Sequence, residues 1–265
     1  MDNFLYEDVT YEIIGCAYDT FKSVGVGFNE NMYHKVFHKN LIQKGLDADY
    51  KRKIGLDYSG ERIANFEIDE VVENKIIVEL KCIQSDFLPE NYAQIITYLK
   101  ITGLRLGLLI NFGLTKAQPK RIIFDEKIEP DSEYWDNKFF ADVAGKEVTD
   151  TIIFLLRKIH ATLGASLHSK IYQSALRIEL RKNGLDFLDS VAINLNIENI
   201  WLGSFEIDYW LIEKFLLIGI LAGKNGPRGY DILRMRSYLK RLNLHHGLIA
   251  FWSTTNLQLI GIYEP

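Results

Sequence analysis

Cysteine is nearly absent. Cys16 and Cys82 stand far apart and outside any metal-binding spacing in the 265 residues. That argues against a disulfide framework or a zinc site and fits a reducing compartment. Long apolar runs are absent too. The longest, Phe215 to Ala222, is far too short to span a bilayer. The opening residues, MDNFLYEDVT, lack the basic-then-apolar layout of a signal peptide, so a cytoplasmic protein without membrane association is expected. There is no excess of positive charge. The formal net charge is -4, so the chain as a whole exerts no pull on nucleic acid, and any such binding needs a local basic patch. No Walker loop, dinucleotide fingerprint or nucleophile elbow occurs.

What is present is a well-patterned α/β chain, 48% hydrophobic and 25% charged. Val9, Ile13, Ile14, Ala17 and Phe21 recur at helical spacing and predict a helix over residues 7–23. Asn29 can cap a second helix running to about Lys44. Strands are expected near 50–58, 62–71 and 76–82, a helix from Tyr92 to Ile101, and strands from Leu106 to Phe112 and Arg121 to Phe124. Residues 126–147 are acidic and polar, with Pro130 and Gly145, and read as a linker.

The stretch Asp69–Lys81 carries the most chemistry. If Glu73-Asn74-Lys75 is the turn of a hairpin, residue 72 pairs with 76 and Asp69 falls opposite Glu79. Side chains alternate along a strand, so Ile77, Glu79 and Lys81 share one face. Opposed residues have Cβ atoms roughly 5 Å apart. Two carboxylates that close repel unless a cation lies between them, and both are oxygen ligands suited to Mg²⁺. Lys81 would orient a water or steady a phosphoryl oxygen. The same residues also read as an exposed sheet face with one cross-strand salt bridge, and a two-residue turn would shift the pairing by one.

The pattern then repeats. Tyr33 matches Tyr172, and Phe66-Glu-Ile-Asp69 recurs identically as Phe205-Glu-Ile-Asp208, both at an offset of 139. After one inserted residue, Tyr98-Leu-Lys100 matches Tyr238-Leu-Lys240. Carrying the first offset forward sets Ile218 against Glu79, Ile220 against Lys81 and Ser169 against Glu30, while Gln94, beyond the insertion, meets Arg234. The chain is therefore expected to be two copies of one unit, the second without the Glu-x-Lys pair.

Gly25-Val-Gly-Phe-Asn-Glu30-Asn-Met-Tyr33 resembles a Gly-x-x-Glu-x-x-Tyr signature. Together with Phe66-Glu-Ile-Asp69, Ile76-Ile-Val-Glu-Leu-Lys81, Ala93-Gln94 and Tyr98-Leu-Lys-Ile-Thr-Gly103, it is similar to the GxxExxY group of the PD-(D/E)xK nuclease-like superfamily. The resemblance covers residues 8–125 and recurs in degenerate form afterwards. It implies two tandem restriction-endonuclease-like units, each a small mixed sheet flanked by helices: residues 1–125, with an intact site, and residues 148–265, without it. It implies Asp69, Glu79 and the Leu80 carbonyl as ligands of Mg²⁺ or Mn²⁺. Lys81 would orient the attacking water, Glu30 would hold a metal-bound water or second ion, and Gln94 would support the site. Hydrolysis of DNA or RNA phosphodiesters by metal-activated water follows, with the two copies forming a pseudo-dimer within one chain. A nuclease fold kept as a non-catalytic nucleic-acid- or protein-binding scaffold is the alternative. One departure is Ile68 where a proline often precedes the aspartate.

Two further groups deserve weighing. Glu30, His34 and His38 fall four apart on one helix, as a transition-metal site or as a polar stripe. Lys51-Arg52-Lys53, Lys100, Arg105, Lys35, Lys39, Lys116, Lys120 and Arg121 would make a phosphate-contacting surface or ordinary solvated charge.

Overall fold

The computed structural model describes residues 5–125, 143–198, 200–224 and 226–265. The chain divides into two compact units, Met1–Glu126 and Lys127–Pro265.

The first unit opens with helices α1 (Glu7–Val24) and α2 (Glu30–Gln43). The Asn29 side chain accepts from the Met32 N–H at 3.2 Å, satisfying one of the donors that a helix start leaves free. Strands β1 (Ala48–Tyr58), β2 (Glu61–Val72) and β3 (Ile76–Lys81) follow as antiparallel neighbours. Helix α3 (Pro89–Thr102) crosses over to β4 (Leu106–Asn111), which lies parallel to β3, and β5 (Gln118–Ile123) closes the sheet. The order is β1-β2-β3-β4-β5. A parallel neighbour needs a helical crossover, and α3 supplies it.

The β2–β3 turn spans Glu73-Asn74-Lys75, with Val72 opposite Ile76. Glu73 and Asn74 both take left-handed backbone, at φ 54 and 47. Alternation then sorts the strand. Ile76, Val78 and Leu80 enter the core beneath α1 and α2, whereas Ile77 enters the core beneath α3, on the face that also carries Glu79 and Lys81.

The tyrosine of the sequence signature is structural. Tyr33 is fully buried, stacks on Phe112 with ring centroids 4.9 Å apart, and donates its hydroxyl to the Gly25 carbonyl at 2.6 Å. It thus ties the α1–α2 turn to the sheet. Tyr33→Phe should lower stability by about 1 kcal/mol, the worth of one such bond with its acceptor left bare, in chemical denaturation. No change would mean water replaces the hydroxyl.

The second unit repeats this plan. It runs through α4 (Val143–Leu163), α5 (Ser169–Lys182), β6 (Phe187–Leu188), β7 (Val191–Ile197), β8 (Ile200–Ile207), β9 (Trp210–Ile212), β10 (Leu216–Ala222), α6 (Gly229–Leu242), β11 (His246–Trp252) and β12 (Leu257–Tyr263). Helix α4 begins inside the stretch expected as linker; residues 126–142 lie outside the described residues. Tyr172 repeats the role of Tyr33, stacking on Trp252 at 4.1 Å and donating to the Gly164 carbonyl at 2.9 Å.

The two sheets differ in one place. In the second unit the long hairpin is cut into a separate pair, β7-β8, and a five-stranded sheet, β12-β11-β10-β9-β6. The registers locate the cause. Val191↔Ile207 stands 139 residues after Arg52↔Ile68, whereas Trp210↔Ile218 stands 140 after Glu70↔Val78. One residue is therefore inserted between Ile207 and Trp210, and a strand carrying an unmatched residue breaks its ladder there. This corrects the sequence alignment. The counterpart of Glu79 is Gly219, not Ile218, and that of Lys81 is Leu221, not Ile220.

Candidate active site

Asp69, Glu79 and Lys81 gather at the open end of the β2–β3 pairing in the first unit. The paired register stops at Glu70↔Val78, and the β1–β2 pairing skips Lys51 and Asp69. Lys51 takes a left-handed backbone there, at φ 53. The next step in register would set Asp69 opposite Glu79. Instead, Asp69 turns its carboxylate to the chain: Oδ2 accepts from the Leu80 N–H at 2.8 Å. The side chain of Leu80 itself lies in the core below α1 and α2.

Glu79 is almost completely buried. Its Oε1 accepts from Lys81 Nζ at 2.7 Å and from Gln94 Nε2 at 2.6 Å, while Oε2 is buried without a hydrogen-bond partner. A buried carboxylate oxygen left bare is costly and rare. Gln94 comes from α3, one turn before Tyr98, and also donates to the Tyr98 hydroxyl at 2.9 Å. Tyr98 in turn donates to the Glu67 carbonyl at 3.2 Å. This chain fixes the amide so that its NH₂ faces Glu79.

Glu30 begins α2 and connects to the others through His34. His34 Nε2 lies 3.7 Å from Glu30 Oε1 and 3.6 Å from Asp69 Oδ2. His34 and Tyr98 are the residues that the sequence reading did not assign to the site. The signal for each was helical spacing: His34 is four past Glu30, and Tyr98 four past Gln94. His38 does not join them. It contacts Glu70 instead, 3.1 Å from Oε1, so Glu30, His34 and His38 do not converge as a transition-metal site.

The charges of the group are strongly coupled. Burial pushes Glu79 up to about 8, helped by Asp69 and opposed by Lys81. Burial also raises Asp69, against the pull of His34 and the Leu80 N–H. Glu30 is held below the usual carboxylate range by His34, with Lys81 adding to it against burial. Burial alone would lower Lys81, but Glu79, Asp69 and Glu30 together outweigh it and raise the ammonium. The set is thus short of positive charge, and a cation beside Glu79 Oε2 would relieve it.

Among the described residues, no three His, Cys, Asp or Glu side chains enclose a metal ion unaided. Mg²⁺ is usually held by one or two carboxylates and keeps several waters. Asp69 and Glu79 are two carboxylates that could hold such an ion, with Glu79 Oε2 free of hydrogen bonds.

The second unit shows how the same scaffold looks without these groups. Gln173 takes the place of His34 and donates to Asp208 at 3.2 and 3.3 Å. Tyr209 beside it covers Gly219: a Cβ there would lie 2.7 Å from the Tyr209 ring. Arg234, at the position of Gln94, donates to the Tyr209 hydroxyl at 3.2 Å. An aromatic plug fills the place of the acid.

A five-stranded mixed sheet between helices, with Asp on the second strand and Glu-x-Lys on the third, defines a restriction-endonuclease-like α/β core. The family model of the PD-(D/E)XK nuclease superfamily matches residues 7–122 and again 146–259. The chain belongs to that superfamily, as a tandem duplication. Searches of curated proteins and of solved structures found no match. Among the described residues, no helix is long and apolar enough to cross a membrane.

Proposed function

We propose that the first unit is a divalent-metal-dependent phosphodiesterase of the GxxExxY kind, acting on nucleic acid. The single observation that carries this reading is the buried Glu79 carboxylate, with Lys81 and Gln94 on one oxygen and nothing on the other. Asp69 and Glu79 would hold Mg²⁺ or Mn²⁺, with the Leu80 carbonyl beside them. Bound there, the ion supplies the positive charge that activates water and offsets charge building on the phosphoryl group. Lys81 is placed to steady that water or a phosphoryl oxygen, Gln94 holds Glu79 in position, and Glu30 supplies a further acceptor at the helix start. The second unit fits the alternative, a retained fold used for recognition, because Tyr209 occupies its corresponding position.

Metal titration of the melting temperature tests the site. Glu79 rises from an ordinary 4.5 to about 8 on folding. Its folded state therefore holds a proton that the unfolded chain has lost between those values. The resulting stability is full below about 4.5 and is lost as pH rises through about 8. A bound cation replaces that proton. The stabilisation by Mn²⁺ should therefore grow from pH 6.5 to about 8.5, as protons stop competing. Asp69→Asn should abolish the Mn²⁺ response and leave the metal-free protein equally stable or more so, since one buried charge is gone. A Mn²⁺ response that survives Asp69→Asn would place the ion elsewhere.

A further inference from the structure

The first unit spends much of its basic charge locally. Lys51 pairs with Glu67, Arg52 with Asp49, and Arg105 with Asp125, while Arg121 donates to the Leu5 carbonyl. Four of the ten cations expected on the phosphate-contacting face thus have partners of their own. Helix α6 of the second unit offers a different candidate.

Its registers place α6 140 residues after α3, so the two helices can be compared position by position. Glu90 of α3 becomes Tyr230, Gln94 becomes Arg234, Ile96 becomes Arg236 and Ile101 becomes Arg241, while Lys100 is kept as Lys240. Each change removes an acid, an amide or an aliphatic group and installs an aromatic or a cation. Residues 230, 234, 237 and 241 fall on one stripe of a helix, with 240 about a quarter turn to its side. Tyr230 is two-thirds exposed, and Lys240 and Arg241 are exposed. Arg234 is pre-set between two rings, its guanidinium carbon 5.5 Å from the centroids of both Tyr209 and Tyr230. Asp231 and the Tyr209 hydroxyl take two of its five donors. A planar cation held against an exposed ring, with two further cations about 10 Å along the helix, presents both stacking and phosphate contacts.

We propose that the exposed side of α6, with Tyr230, Arg234, Lys240 and Arg241, binds single-stranded nucleic acid. The choice of nucleic acid as the anion rests on the phosphodiesterase reading. The exposed ring selects it over an acidic peptide, because bases stack on aromatic faces regardless of sequence. Arg236 pairs with Glu264, and it is assigned no contact.

Fluorescence anisotropy of the full chain with a labelled, mixed-sequence single-stranded oligodeoxynucleotide, in EDTA, tests this apart from catalysis. Lys240→Gln with Arg241→Gln should weaken binding roughly tenfold at moderate salt and flatten the salt dependence by about 0.7 per lost contact. Tyr230→Ala should weaken it roughly fivefold or more without changing the salt slope. These side chains are on the surface, and unchanged melting curves would confirm folding. Undiminished binding in both variants, no binding by the wild-type chain, or displacement by polyglutamate at equal charge would overturn the proposal. Glu79→Gln, assayed for cleavage, tests the other reading: if it still cleaves, the phosphodiesterase site fails while the α6 result stands by itself.

Discussion

Glu79→Gln should eliminate divalent-dependent cleavage of nucleic acid, by roughly a thousandfold or more, while the protein stays folded. The amide keeps the size of the side chain and can still face Gln94 and Lys81 across its oxygen. It cannot neutralise a divalent cation. Stability should hold or rise, because a buried carboxylate whose charged form is disfavoured is replaced by a neutral group. Lys81→Ala should cost a comparable rate for a different reason. It leaves Asp69 and Glu79 in place but removes the ammonium 2.7 Å from Glu79 Oε1. Cleavage within about tenfold of wild type in either variant, beyond the scatter of ordinary positioning effects, would remove this group from the reaction. Measuring cleavage and Mn²⁺-dependent melting on the same preparations separates loss of metal from loss of chemistry.

Gly219→Glu, which restores the acid to the second unit, should fail to create a site and should destabilise the protein by about 3 kcal/mol or more. The new Cβ would sit 2.7 Å from Cε1 and 3.0 Å from Cζ of Tyr209. That ring cannot simply swing away, since it is held by Arg234 and packs edge-on against Tyr238 at 5.2 Å. Behind it lies a carboxylate with no Lys81 beside it, because Leu221 stands there. Pairing the change with Tyr209→Gly should recover part of the loss by removing the clash. Urea denaturation gives the comparison. A cost of Gly219→Glu below about 0.5 kcal/mol, the range of an unremarkable surface change, would mean that Gly219 is not the counterpart of Glu79.

Much of this was legible in the residues because it is local. The apolar spacing of Val9 to Phe21 gave α1, and Asn29 stood as the cap of α2. Glu73-Asn74-Lys75 was the turn, so the pairing of Val72 with Ile76 followed, and with it the face shared by Glu79 and Lys81. The duplication was visible as well. The error lay in placing the inserted residue. Phe215 to Ala222 is apolar throughout, and an unbroken apolar run carries no register of its own. Either Ile218 or Gly219 would fit such a run, and only its partners decide between them.

The sequence by itself determined the strands of the first unit, the turn, the face shared by Glu79 and Lys81 and the fact of two copies, since each follows from the period of side chains along a backbone or from direct repetition. The tertiary structure alone decided that His34 joins Glu30 to Asp69, that Tyr98 aims Gln94 at Glu79, and that Tyr209 closes the second unit. Those contacts link elements far apart in the chain. Their distances depend on how a helix docks on a sheet, and side-chain spacing within either element does not fix that.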